Sequence, residues 1–238
     1  MMLPELPARI VPAPPDPGAL PLFVQACAGA LPVSGVGLSL TSAAGDLDAL
    51  VAASDGTALA LEDLQFDLGE GPGLDASRSR HPVLVPDLAR VTPDRWPVFT
   101  GEALLSGVAA VFAFPLQVGA LRLGVLDLHS DRAGELEEAV HAEALHHAAA
   151  AVALLLQLQS RLPVTTTATA PPVAAGIVLA DDRAVVHQAT GVVSVSAGVD
   201  TGAALLLLRA RAYAEGRDVR ALAEDVVARR TRLVDPGR

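Results

Sequence analysis

The sequence predicts an α+β domain, an antiparallel sheet flanked by helices, followed by a small all-helical domain of three helices. Three observations carry this. Apolar side chains alternate with small ones through residues 35–41, then run almost unbroken through 108–116 and 121–129. From residue 183 onward the apolar spacing is purely helical. The charge divides at the same place: residues 1–172 hold 8 arginines against 19 acidic residues, whereas 173–238 hold 9 against 8. An acidic front and a nearly neutral, arginine-rich rear indicate two modules with different partners.

The elements follow in order. Residues 1–17 carry six prolines and read as a disordered tail. Residues 20–31 form a helix stopped near Pro32. Strands at 35–41 and 50–54, joined across the turn at 42–46, make a hairpin. A short acidic helix at 61–67 leads into the bend Gly69-Glu70-Gly71-Pro72-Gly73, read as a tight loop with no helix directly behind it. A short strand at 82–86 and a loop or helix through Trp96, Pro97 and Phe99 precede the two strong strands. Their continuous apolar character requires a sheet covered on both faces. Residues 135–161 form a long helix, with Glu135, Glu137 and Glu138 at its positive end. Residues 162–175, rich in Pro and Thr, form a linker.

Beyond the linker, Asp181 or Asp182 caps a first helix, Asp200 or Thr201 a second, and Asp218 a third. Gly198 and Gly216 end the first two. The domain boundaries are therefore 1–17 for the tail, 18–161, 162–175 for the linker, and 176–234. Three helices in about 50 residues bury little apolar surface alone. The run Leu205-Leu206-Leu207-Leu208 covers most of a helix circumference, so part of it meets another surface, such as a second copy of the chain.

The residue inventory argues against catalysis. The lone Cys27 excludes an internal disulfide and a zinc cluster, and it sits in an apolar helix as a buried small side chain. His141, His146 and His147 share the long helix but not a metal-binding face, and read as solvated. The glycine-rich bend lacks the Lys-Ser or Lys-Thr of a phosphate loop. No pair of carboxylates and no Ser/His/Asp set stands out. No cofactor or metal is expected. The longest uncharged apolar run, residues 148–158, is about half a bilayer span, so a cytoplasmic protein without a membrane segment is expected.

The last quarter offers phosphate-contacting chemistry. Every one of the 17 basic residues is arginine, a planar, permanently charged fork that matches phosphate. Arg183, His187, Thr190 and Ser194 recur at spacings of four, three and four on one helix face. Arg209, Arg211, Arg217, Arg220, Arg229 and Arg230 lie outside or at the border of the apolar stripes. Arg217 and Arg220 stand near a helix start, where cations are disfavoured unless an anion is nearby.

Two family resemblances rest on these segments. Residues 18–160 resemble a GAF domain in Leu61-Glu62-Asp63-Leu64-Gln65, the 69–73 bend, Pro82-Val83-Leu84-Val85-Pro86-Asp87-Leu88 and Arg95-Trp96-Pro97-Val98-Phe99. The likeness continues through Ala113-Phe114-Pro115-Leu116 and Gly124-Val125-Leu126-Asp127-Leu128. Residues 176–234 resemble an ANTAR domain in Arg183, Gln188-Ala189-Thr190-Gly191, Ala204, Leu205, Leu208-Arg209, Ala212, Val219, Leu222-Ala223 and Val226-Val227. Gly73 stands where the first family often has Cys. Thr190 and the pair Val193-Ser194 stand where the second often has a basic residue and Leu-Met.

The resemblances imply a transcription antitermination regulator. A small ligand or partner would act on the GAF-like domain, with Phe66, Trp96, Phe99 and Phe114 as candidate pocket residues. The ANTAR-like domain would bind pairs of RNA hairpins as a homodimer, through Arg183, Thr190, Arg209, Arg211, Arg217, Arg220, Arg229 and Arg230. The alternative is a non-catalytic interaction scaffold whose ANTAR-like module no longer binds RNA. A third reading, a GAF-type hydrolase or an enzyme acting on oxidised methionine, needs reactive cysteines that the lone Cys27 does not supply.

Overall fold

The structure, a computed structural model, describes residues 18–159 and 183–233. The tail at 1–17, the linker at 162–175 and the caps Asp181 and Asp182 lie outside them.

Among the described residues there are eight α-helices and five strands. They are α1 (Ala19–Ala30), β1 (Gly35–Thr41), β2 (Leu47–Ala53), α2 (Gly56–Leu68), α3 (Pro72–Ser79), β3 (Val83–Val85), α4 (Phe99–Leu105), β4 (Ala110–Val118), β5 (Leu121–Ser130) and α5 (Glu138–Gln159). The C-terminal unit contains α6 (Ala184–Ala197), α7 (Thr201–Ala214) and α8 (Val219–Val227). The strands form one antiparallel sheet in the order β2-β1-β5-β4-β3. The expected fold class is what the structure shows.

Strand alternation sorts the side chains into two layers. Val36, Leu38 and Leu40 of β1, Phe112 and Phe114 of β4, and Leu126 and Leu128 of β5 face α1 and α5 in one apolar core. The opposite face presents Ser39, Ala113, Val125, Asp127 and His129 towards α2 and α3. This explains the unbroken apolar runs: β4 and β5 lie between two layers of helices. A third cluster, with Trp96, Phe99, Val108 and Val111, packs beneath α4.

Three local expectations change. The helix expected at 61–67 starts earlier, at Gly56, because the Asp55 carboxylate accepts from the amides of Thr57 and Ala58 and caps it. Contrary to the tight-loop reading, a helix does open directly behind the glycine bend. Gly69, at φ 68°, ends α2, and Pro72 starts α3, where its fixed φ and missing N–H cost nothing. The long helix begins at Glu138 instead of Glu135, since the Gly134 amide is tied to the Pro86 carbonyl at 2.8 Å, outside the helix. By length and composition α5 is sufficient to cross a membrane, at 22 residues. Here its Ala144, Ala151 and Leu155 pack on the sheet.

In the C-terminal unit, Asp200 accepts from the Ala203 amide and Asp218 from those of Arg220 and Ala221, so both caps form as read. Gly198, at φ 67°, closes α6 and Gly216, at φ 60°, follows α7. Val186, Ala189, Val193, Ala204, Leu208, Leu222, Ala223 and Val226 make the small core between the three helices. The Leu205–Leu208 run splits: Leu205 and Leu208 turn inward, while Leu206 and Leu207 stay exposed together with Val192, Val195 and Tyr213.

Candidate nucleic-acid interface

The arginines of α6–α8 fall into two groups. The first points at α2 of the GAF-like unit. Arg183, immediately before α6, is fully buried; its guanidinium lies 4.4 Å from the centre of the Phe66 ring and donates to the Glu62 carbonyl at 3.0 Å and to Asp63 at 3.2 Å. Arg209 of α7 approaches the same ring at 5.3 Å and also lies against Gly69, at the C-terminal end of α2. Cations are favoured there by the helix dipole. Arg220 of α8 donates to Asp63 at 2.5 Å. His187 adds an edge-on contact to Phe66 at 6.1 Å and reaches the Asp48 carbonyl at 2.9 Å. One aromatic ring and one carboxylate of α2 thus gather four side chains from the C-terminal unit.

The second group stays on the C-terminal unit. Arg211 pairs with Glu215 at 2.6 Å, Arg217 with Asp225 at 2.5 Å, and Arg230 with the same Asp225 at 2.7 Å. These bonds from Arg217 and Arg230 hold the Asp225 carboxyl below its ordinary range. Arg229 is exposed, at a left-handed φ of 58°. Thr190 is 6 % exposed, and its hydroxyl donates to the Val186 carbonyl one turn back at 2.8 Å. The eight candidate residues therefore do not form one surface. Four are solvent-facing or at the rim, three are held by α2, and Thr190 is inside.

Burial depresses Arg209. Its guanidinium is pulled down to about 10 by desolvation, against the opposing pull of Asp46 and Asp67. Asp67 is pushed up to about 6 by burial, although Arg220 draws it down. Both shifts belong to groups at the seam between the two units.

Beneath α2 the sheet carries a buried polar cluster that the sequence reading missed. The Ser39 hydroxyl donates to Glu62, the Gln65 amide donates to Asp127 at 2.7 Å, and the Gly73 amide donates to Gln65 at 2.7 Å. Burial raises both carboxyls, and the neighbouring Glu62 charge raises Asp127 further. The contact between residues 62 and 127 is set by tertiary packing, so no sequence spacing reveals it. A Cβ at Gly73 would run into Asp127, and one at Gly37 into Glu62. A cysteine at position 73 has no room here.

The four aromatics expected to line a pocket are not brought together. Phe66 belongs to the seam with α6–α8, Trp96 and Phe99 to the cluster beneath α4, and Phe114 to the opposite face of the sheet. Alternation along β4 explains Phe114, which shares a face with Phe112 and Leu116 and not with Ala113. An open groove of about 360 Å³ lies instead along the free edge of β3, lined by Leu84, Asp87, Arg90 and Arg95 among others. Arg95 stacks over Trp96 at 4.2 Å.

Of the histidines on α5, His146 is exposed as read, while His141 and His147 are partly buried. His147 is tucked against Cys27, with Nδ1 and Sγ 3.3 Å apart, and His141 leans on Phe114. Burial pushes the Cys27 thiol up to about 11, so it is a neutral group and not a nucleophile. Among the described residues no group of three or more His, Cys, Asp or Glu is arranged to hold a metal ion.

Residues 180–227 match the ANTAR domain family. The N-terminal unit is similar in structure to the GAF domain of a phosphoenolpyruvate-protein phosphotransferase from Coxiella burnetii, at 21 % identity and TM-score 0.48, covering 63 % of this chain and 88 % of that one. It is also similar to the GAF domain of an Acinetobacter phosphoenolpyruvate-protein phosphotransferase (12 %, TM-score 0.47, 62 % and 86 %). A third likeness is to a GAF domain/HD domain protein from Geobacter sulfurreducens (14 %, TM-score 0.46, 60 % and 94 %). No curated protein matches the chain. The ANTAR family match spans α6–α8, which follow an α+β unit similar in fold to these GAF domains.

Proposed function

We propose that this chain is a transcription antitermination regulator in which the ANTAR domain binds paired RNA hairpins as a dimer and the GAF-like unit responds to a small ligand or partner. The observation that carries the reading is the ANTAR match over residues 180–227, a stretch with five arginines, of which Arg211 and Arg217 stand at solvent-facing or rim positions. The exposed apolar side chains of Val192, Val195, Leu206, Leu207 and Tyr213 are suited to pairing with a second copy. A cytoplasmic location follows from this role.

The test is a gel-shift series with tandem hairpin RNA across salt concentrations. The full chain is expected to bind at low salt, with affinity falling linearly on a logarithmic salt axis. Arg211→Ala or Arg229→Ala should flatten that slope by about one unit per lost phosphate contact. Absence of binding at low salt would contradict the reading.

A second reading has an observation in its favour. Arg211, Arg217 and Arg230 are paired with acids of their own unit, and Thr190 donates to its own helix, so the module also suits a protein-interaction scaffold without RNA affinity. The same gel-shift series separates the two.

A further inference from the structure

We propose that Asp63 and Phe66 on α2 form an autoinhibitory clasp, holding Arg183, Arg209 and Arg220 of the ANTAR domain in a state that excludes RNA phosphate. This rests on the RNA-binding reading above for its consequence, though not for its geometry.

Three features support it. The first is chemical identity of the competitors. A carboxylate and a phosphate offer the same kind of paired oxygens to a guanidinium, so Asp63 occupies the acceptor position that a phosphate would take. It does so for two arginines at once, Arg183 at 3.2 Å and Arg220 at 2.5 Å. These stand at the starts of α6 and α8, so one side chain of α2 ties down two elements of the helical unit.

The second is occlusion. Arg183 is fully buried, with the Phe66 ring across its face and the Glu62 carbonyl at its edge. A phosphate reaches it only if α2 and the helical unit separate. Phe66 is itself fully buried, ringed by Arg183, Arg209 and His187.

The third is incomplete compensation of charge. Asp63 is in ion-pair contact with both Arg183 and Arg220, whereas Arg209 lies over a ring and a glycine. Desolvation outweighs the nearby acids at Arg209, whose cation is held below its ordinary range. Among the described residues the clasped Arg209 is therefore a largely desolvated cation with no carboxylate in ion-pair contact. Such a contact is closed in the free protein and yields to RNA or to any signal that shifts α2.

The experiment uses the full chain with Asp63→Ala, and Asp94→Ala as a control that removes one exposed carboxylate elsewhere on the same unit. Arginine modification by phenylglyoxal, mapped by mass spectrometry without RNA, reads the clasp directly. Arg183 and Arg220 should be protected in the unsubstituted chain and in D94A and react several-fold faster in D63A, with Arg211 and Arg229 unchanged. Arg220→Ala, on the other side of the contact, should also expose Arg183, which guards against D63A failing to fold. Tandem hairpin RNA should then bind D63A about tenfold more tightly than the unsubstituted chain, an ordinary size for coupling between two sites. Equal reactivity of Arg183 in all variants would overturn the clasp. Increased reactivity with unchanged RNA affinity would overturn its inhibitory role. Increased reactivity with no RNA binding by any variant would leave the clasp standing and sink the RNA reading instead.

Discussion

Asp127 and Glu62 show how a pair of side chains gains a property that neither has alone. Both carboxyls are buried under α2 and both are raised, so folding takes up a proton that the unfolded chain releases at ordinary carboxylate values. The sign follows: stability is greatest where the pair is protonated and falls as pH rises through the raised values. Asp67, pushed up to about 6, contributes the same trend. Urea unfolding followed across pH, in the unsubstituted chain and in Asp127→Asn, reads the contribution of the buried pair. The unsubstituted chain should lose stability as pH rises above the ordinary carboxylate range, and Asp127→Asn, which keeps the Gln65 bond, should lose markedly less. An unchanged pH dependence in D127N would contradict the raised Asp127 carboxyl. Little of this was legible in the sequence. Glu62 and Asp127 were quoted as parts of family segments, but what joins them is the approach of α2 to β5, allowed by glycines at 37 and 73. Cys27 was legible as buried; the imidazole of His147 beside it was not.

At the level of elements, α2 is the hinge of the account. Asp55 caps it at one end, Gly69 ends it at the other, and its outer and inner faces carry Asp63 with Phe66 and Glu62 with Gln65. Asp55→Ala should destabilise the chain by about 1 kcal/mol, the usual cost of a lost N-cap, read from the shift in urea midpoint. A change within a few tenths would mean that packing alone holds the first turn. The helices and strands with strong period were readable, as were the caps at Asp200 and Asp218. α3 was not, because Pro72 and Gly73 read as loop residues when proline in fact opens the helix. The start of α5 was misplaced for a different reason: the bond between Gly134 and Pro86 is tertiary, and the local acidic cluster carries no sign of it.

For the whole molecule, the change in charge along the chain was the clue that two modules are present, and the ANTAR match at 180–227 agrees with it. What the linear charge pattern concealed is that the arginines do not act as one set. Helical spacing places Arg183, Arg209 and Arg220 at the borders of apolar stripes, but it is the second module that decides what those borders meet. The same holds for the four aromatics: residue type marked them as pocket candidates, whereas strand alternation and packing sent them to three separate cores. The account's central claim is that the C-terminal helices are the RNA-binding surface of a regulator whose GAF-like unit restrains them. Ultraviolet crosslinking of the full chain to tandem hairpin RNA, with crosslinked peptides mapped by mass spectrometry, tests it most directly. The account predicts crosslinks within residues 183–230 that strengthen in D63A. Crosslinks confined to the GAF-like unit, or none in either protein, would contradict it.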